Sequence, residues 1–281
     1  MKGFIFVVAF AMIANSLFSA LVISRSEMGF ESKELYYNNI FAEISNDRIV
    51  SMWDFNTFEL TLVNHALQIY TTIDFETFME STARQNRARI ENEIEEMGEQ
   101  RRHMMAQATI NLFNRMEPYF MIADTVRIHG HLAYEYHVFN GELIVQRIWV
   151  SRTLQERINR EIDPAHIRRV ENVFKVNREI YFRSMGIRLD PISTLVESIE
   201  SIGYVMRRID YGLNVNRSPD FEREMESQVN IITDISVMNV DPAIFTAHHR
   251  LRRLDYNTYQ MRLIQAMERL VEEEIRSSDT E

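Results

Sequence analysis

Two pairs of histidines stand close together in the chain: His129 and His131 flank Gly130, and His248 and His249 are adjacent. Imidazoles at such spacing can supply two ligands to a zinc ion, but a closed tetrahedral site needs further ligands converging in space. The sequence places none beside them, and with no cysteine in the chain there is no thiolate to complete a set. Glu91 to Gln100 is the densest run of carboxylates. At helical spacing it reads as a solvated face rather than an acid–base pair. Asp163-Pro164 and Asp190-Pro191 share one form, an acceptor side chain followed by a residue that lacks an N–H, which is the signature of a helix start. His248, His249, Arg250, Arg252 and Arg253 form a basic cluster able to meet anionic lipid headgroups. Their alternation around Leu251 and Leu254 equally describes a charged strand edge that discourages edge-to-edge pairing. Neither a Gly-x-Ser-x-Gly elbow, a phosphate loop, a dinucleotide fingerprint nor a His-Glu-x-x-His pair occurs. The expectation is a chain with no catalytic residues, no cofactor and no metal.

The elements that must position these residues are mostly strands. In Ala123 to Val150, Leu132, Tyr134, Tyr136 and Val138 alternate with Ala133, Glu135, His137 and Phe139, the period of a strand with two unlike faces. Asn140-Gly141 follows as a type I′ hairpin signal, leading into the apolar run Glu142 to Val150. Upstream, Val126 to His129 reaches Gly130 and turns back into the same sheet. An earlier meander is expected from a first strand at Leu21 to Met28, then Leu35 to Ile44, Arg48 to Phe55, Phe58 to Val63 and Gln68 to Asp74, because short connections force antiparallel neighbours. Strands return at Gly203 to Tyr211, Gln228 to Met238 and Arg250 to Leu254, with Asp241-Pro242 read as a turn.

The period changes to three-to-four over Phe75 to Phe113, where Ile90, Ile94, Met97, Met104, Ala108 and Leu112 recur. That spacing predicts one long helix, or two broken at Gly98. Further helices are expected from Asp163 to Met185 and Asp190 to Ile202, with a closing helix from Tyr256 to Ile275 whose apolar side is Met261, Ile264, Met267, Leu270 and Val271. Together these make one α+β domain over residues 21–255 with helical insertions near 75–113 and 154–202, helices gathered on one side of an antiparallel sheet.

Composition bounds the partners. The 281 residues carry a net charge of −10, which argues against a nucleic-acid footprint. Lys2 precedes the apolar run Phe4 to Ile13 and then Ala14, Asn15, Ser16, Ser19 and Ala20, the form of a secretory signal over residues 1–20 with cleavage near Ser16 or Ala20. An uncleaved membrane anchor is the rival reading. Export places the protein in the periplasm or outside the cell, where a chain this long can bury a core without disulfides.

Three stretches resemble an uncharacterised family of bacterial exported proteins with the LolA-like fold of outer-membrane lipoprotein carriers. They are Met52-Trp53-Asp54-Phe55 through His65, Tyr70, Thr72, Ile73, Asp74 and Phe75; His129-Gly130-His131-Leu132-Ala133-Tyr134-Glu135-Tyr136 with Trp149-Val150-Ser151; and Val237 to Phe245. The likeness spans about Leu21 to Leu254. This chain differs in its longer helical section, Arg152 to Ile202, and in the helix after Tyr256. The resemblance implies a strongly curved antiparallel sheet, an incomplete β-barrel, with helices over its concave face, and the lipoprotein carriers hold acyl chains there.

An uncovered concave face of about 400 Å² would cost about 10 kcal/mol at about 25 cal/mol per Å², comparable to a domain's net stability. Either the chain's own helices fill it, or a lipid or acylated protein shares the space. The expected lining is Met79, Ile94, Met97, Met104, Met105, Tyr134, Tyr136 and Trp149, the methionines being adaptable apolar fillers. The alternative is an envelope interaction protein with a self-filled core and a protein partner on its outer face or closing helix.

Overall fold

The computed structural model describes residues 19–27, 29–170, 187, 190–213, 221, 225 and 230–278. The expected signal segment up to residue 18, and the expected helix from residue 171 onward, lie outside the described residues. A first meander runs through β1 (Ser19–Glu27), β2 (Phe30–Tyr37), β3 (Ile40–Ser45), β4 (Arg48–Asp54), β5 (Glu59–Asn64) and β6 (Ile69–Asp74). Two helices follow, α1 (Phe75–Met97) and α2 (Glu99–Asn114). A second run of strands comprises β7 (Pro118–Ile128), β8 (His131–Asn140) and β9 (Leu143–Ser151), then α3 (Arg152–Glu161), α4 (Pro191–Glu200), β10 (Tyr204–Asp210) and β11 (Asn230–Asn239). A 3-10 segment (Pro242–Arg250), the short β12 (Arg252–Arg253) and α5 (Tyr256–Ser278) close the chain.

All of these strands belong to one open sheet of twelve, in the order β12-β6-β5-β4-β3-β2-β1-β11-β10-β9-β8-β7. It is antiparallel except where β12 runs parallel to β6. β1 sits mid-sheet and pairs on one side with β2 and on the other with β11, which fuses the two meanders into one half-barrel-like sheet. Ser19 and Ala20 already pair with Asn239 and Met238. The sheet therefore already includes two residues before the expected boundary at Leu21.

Register explains the core. Leu21, Tyr36, Phe41, Trp53, Leu60 and Ile73 are successive cross-strand partners from β1 to β6, a continuous apolar and aromatic row on one face. α3 lies against this face. Ser151 caps it by accepting from Leu154 N at 3.2 Å, and Leu154, Ile158 and Ile162, spaced by four, are all within 1% of full burial. This ten-residue helix contacts β2, β1, β10 and β8 at once, so the sheet wraps around it. Gly203 lets β10 start directly beneath it, since a Cβ there would meet Ser151 O at 2.8 Å.

Four sequence expectations need correction. Leu35 to Ile44 is not one strand. Asn38 and Asn39 both take positive φ (43° and 60°) and make a tight hairpin between β2 and β3. Asparagine tolerates that region better than other side-chain-bearing residues. At Asn140-Gly141 only Gly141 has positive φ, and Asn140 pairs with Leu143, so the turn is centred on Gly141-Glu142 with the II′ pattern rather than I′. Asp241-Pro242 starts the 3-10 segment instead of a plain turn, with Asp241 Oδ1 accepting from Ala243 N at 2.9 Å.

The fourth concerns the helices, which are not gathered over the concave face. α3 covers the Tyr36 row, but the 3-10 segment packs Phe245 against Val22, Leu35, Ala42 and Met52 on the opposite face of β1–β4. α4 packs Ile192, Val196 and Ile199 on Tyr136, Val138, Ile148 and Val150. Strands with apolar residues on both faces need cover on both. The long helix does break at Gly98, but only its first turn, Phe75, Phe78 and Met79, joins the main core.

Thr71 is fully buried on β6 and its hydroxyl has no hydrogen-bond partner among the described residues. Thr71→Val should raise unfolding free energy by about 1–2 kcal/mol, the desolvation cost of an unmade bond. Urea denaturation of the two proteins checks this, and a destabilised variant would show that the hydroxyl is satisfied in solution. His248 supplies a pH test. It is 6% exposed, its Nδ1 has no partner among the described residues, and burial followed by the neighbouring His249 depresses its imidazole to about 4. The unfolded chain takes up the proton at about 6.5. Stability should therefore fall as pH drops from 6.5 towards 4, by about 2 kcal/mol at pH 5. Unfolding measured at pH 7 and pH 5 should show a smaller difference in His248→Phe than in the wild type, and equal slopes would contradict the assignment.

Candidate functional site

Where the Tyr36 row meets α3, the packing leaves a cleft of about 300 Å³. Its sheet wall is Tyr36, Phe41, Trp53, Phe55 and Tyr204, and its helix wall is Ile158 and Ile162 with Ile167 and Val170 from the next helical turns. That next stretch starts after Asp163, whose Oδ1 accepts from Ala165 N at 2.8 Å, and is helical from residue 164 to the last described position, 170. Glu43 and Gln155 are the polar members of the lining besides the two phenols. Glu43 accepts from Ser51 Oγ at 2.7 Å and has no ion pair among the described residues. A larger hollow of about 490 Å³ lies between β6, β12 and α5, but its lining carries Arg252, Arg262 and Arg269 at the sheet's edge. Apolar lining with a few convergent polar groups marks the smaller cleft as the better ligand site.

One end of the cleft is held by a buried polar cluster. Glu34 accepts from Tyr36 Oη at 2.7 Å and from Tyr204 Oη, and pairs with Arg25 Nε at 2.7 Å. Arg25 also donates to Asn230 Oδ1 at 2.9 Å and to Val205 O at 3.1 Å, and its guanidinium lies 4.8 Å from the Tyr204 ring centre. Burial alone would depress Arg25, but Tyr204 and Glu34 raise it above its ordinary value, so it stays charged. Burial and then nearby groups, Glu34 among them, push both phenols up, so Tyr36 and Tyr204 remain protonated donors. Each of these groups is committed to a partner. The cluster fixes the wall's shape.

The eight expected lining residues are dispersed, and none of them lines this cleft. Met79 and Trp149 belong to the main core. Ile94 and Met97 pack with Phe113 and Ile187 in a separate small cluster where α1 and α2 meet Ile187. Met104 and Met105 are 58% and 40% exposed on α2. Tyr134 and Tyr136 pair with Val150 and Ile148, whereas Trp149 pairs with Glu135, so the tyrosines face away from the tryptophan. The sequence places a helical section over Arg152 to Ile202 but does not single out α3 within it as a wall of the site. Ser151 before Leu154, Ile158 and Ile162 is a cap followed by four-residue apolar spacing, and that signal was present.

The histidines do not converge. His129 Nε2 is 3.0 Å from Ile232 O, while His248 packs edge-on to Tyr70. Among the described residues no group of three or more His, Cys, Asp or Glu is placed to hold a metal ion, and no described helix is long and apolar enough to cross a membrane. Comparison of the chain with protein-family models, with curated proteins and with solved structures finds no match.

Proposed function

We propose that this protein is a non-enzymatic binding protein of the cell envelope, exported by its N-terminal segment, that holds an apolar or acylated ligand between the sheet and α3. The observation that supports it is the cleft itself: about 300 Å³ walled by aromatic and aliphatic side chains on two different elements. That volume is at the lower end for small-molecule pockets. Taking about 30 Å³ as the share of one water in the liquid, it admits a ligand portion of about ten heavy atoms, a single acyl chain rather than several. A half-barrel-like sheet with a helix in its trough is also what the resemblance to lipoprotein carriers implies, and acyl chains are the ligand class of those carriers.

Native mass spectrometry with lipid extraction, on protein purified from the exported fraction, tests this reading. The expected result is one lipid per chain, with saturable uptake of a fluorescent fatty acid after delipidation. Recovery of no stoichiometric lipid together with no uptake would remove it.

A second reading, an envelope interaction protein, draws on α5. Its apolar stripe, Met261, Ile264, Met267, Leu270 and Val271, is 54–67% exposed, so the face expected to pack inward lies open. On that reading a protein partner covers the stripe, and removal of residues after 255 abolishes partner binding while fatty-acid uptake is unaffected.

A further inference from the structure

We propose that Arg207, stacked on Trp149 beside Arg147, is the subsite for an anionic head group, so that the ligand is an amphiphile with a carboxylate or phosphate end. This deepens the reading above and rests on it. Trp149 is 3% exposed in the main core, and two guanidiniums lie over its ring, Arg147 at 4.9 Å and Arg207 at 4.8 Å. They are not equivalent. Arg147 is paired with Glu135 at 2.7 Å, and Glu135 is also held by His137 at 2.6 Å. Burial would raise the Glu135 carboxyl, but its bonds from His137 and Arg147 hold it below the usual range, so its charge is present and spent locally.

Among the described residues no carboxylate serves Arg207 in that way. Its Nε is sealed from solvent without an acceptor, and among the described residues it forms no ion pair. A buried guanidinium donor left unmade is costly. Among the described residues, two guanidiniums share one ring with one carboxylate between them, a local excess of positive charge. An oxyanion offered to the outer nitrogens of the Arg207 guanidinium compensates its charge.

The position suits an amphiphile. A bulge between Val205 and Arg207 gives β10 an extra residue, so that Tyr204 opposes Ser151 and Arg207 opposes Trp149. Ser151 and Trp149 are two apart on β9, so Tyr204, a wall of the cleft, and Arg207 share one face of the β9–β10 pair, about 7 Å apart along it. Within the cleft the carboxyl of Glu43, which has no ion pair among the described residues, disfavours an anion, which leaves the interior to the tail and directs the head towards Arg207.

The test compares decanoate, decanol and inorganic phosphate by calorimetry on delipidated full-length protein and on Arg207→Gln. The wild type should bind decanoate about 10- to 100-fold more tightly than decanol, the range expected for one charge-assisted contact. Arg207→Gln should remove that preference and leave decanol affinity unchanged. Equal wild-type affinity for decanoate and decanol, or a preference that persists in Arg207→Gln, overturns the subsite while leaving the apolar cleft standing. Binding of inorganic phosphate as tight as decanoate would show a free-anion site and overturn the amphiphile. Binding of neither decanoate nor decanol removes the cleft reading itself, and the subsite with it.

Discussion

Replacing Glu34 with alanine should cost the fold about 3–5 kcal/mol, the range for removing one partner of a buried ion pair. Arg25 and Glu34 side chains are only 15% and 19% exposed. Glu34 is the acceptor for Tyr36, Tyr204 and Arg25 together, so its loss strands two phenolic donors and a guanidinium in the core. The remaining bonds of Arg25 to Asn230 and Val205 O do not supply a negative charge. Chemical denaturation of Glu34→Ala and Glu34→Gln measures the effect. The glutamine should lose less, because its amide oxygen still accepts from one phenol. A double variant, Arg25→Met with Glu34→Leu, should recover much of the loss, since an apolar pair of similar volume avoids the desolvation cost. A Glu34→Ala protein within 1 kcal/mol of wild type would show that water reaches the cluster and that it does not hold the cleft wall rigid.

Filling the cleft is the second large effect. Ile167→Trp adds an indole from the helical wall towards Phe41 and Trp53. Ile167 is only partly buried, so the extra volume can be taken up by the cavity instead of by strained neighbours. Fatty-acid affinity should fall at least about tenfold, a loss of 1.4 kcal/mol or more, while unfolding free energy stays within about 1–2 kcal/mol of wild type. Uptake measured with the same fluorescent fatty acid decides it: undiminished affinity would place the ligand elsewhere.

The strands were legible because hairpins are written locally. Leu132 to Val138 alternates strictly, and Gly141 fixes the reversal within four residues of chain. The Asn38-Asn39 reversal was hidden because apolar and aromatic residues run on both sides of it, and only the asparagine pair marks a break. Helix positions were legible too, down to the break at Gly98, where φ is 72°. The site was not. Periodicity shows which face of a helix is apolar but not which sheet face it meets. The methionines of α1 and α2 therefore looked as well suited to the concavity as the isoleucines of α3. The Tyr36 row depends on the register of six strands, and the meeting of Arg25 with Tyr204 joins residues 179 apart in the chain. Such pairings are set by tertiary closure through β1 and β11, which no local window contains.

The chain has two tryptophans, and only Trp53 lines the cleft. Quenching by decanoate brominated at its tail end therefore locates the ligand directly. An acyl chain lying between the sheet and α3 predicts saturable quenching at one ligand per chain, lost in Trp53→Phe protein that still binds unlabelled decanoate. Saturable binding with Trp53 emission unchanged would contradict the account, because the tail would then lie outside the cleft.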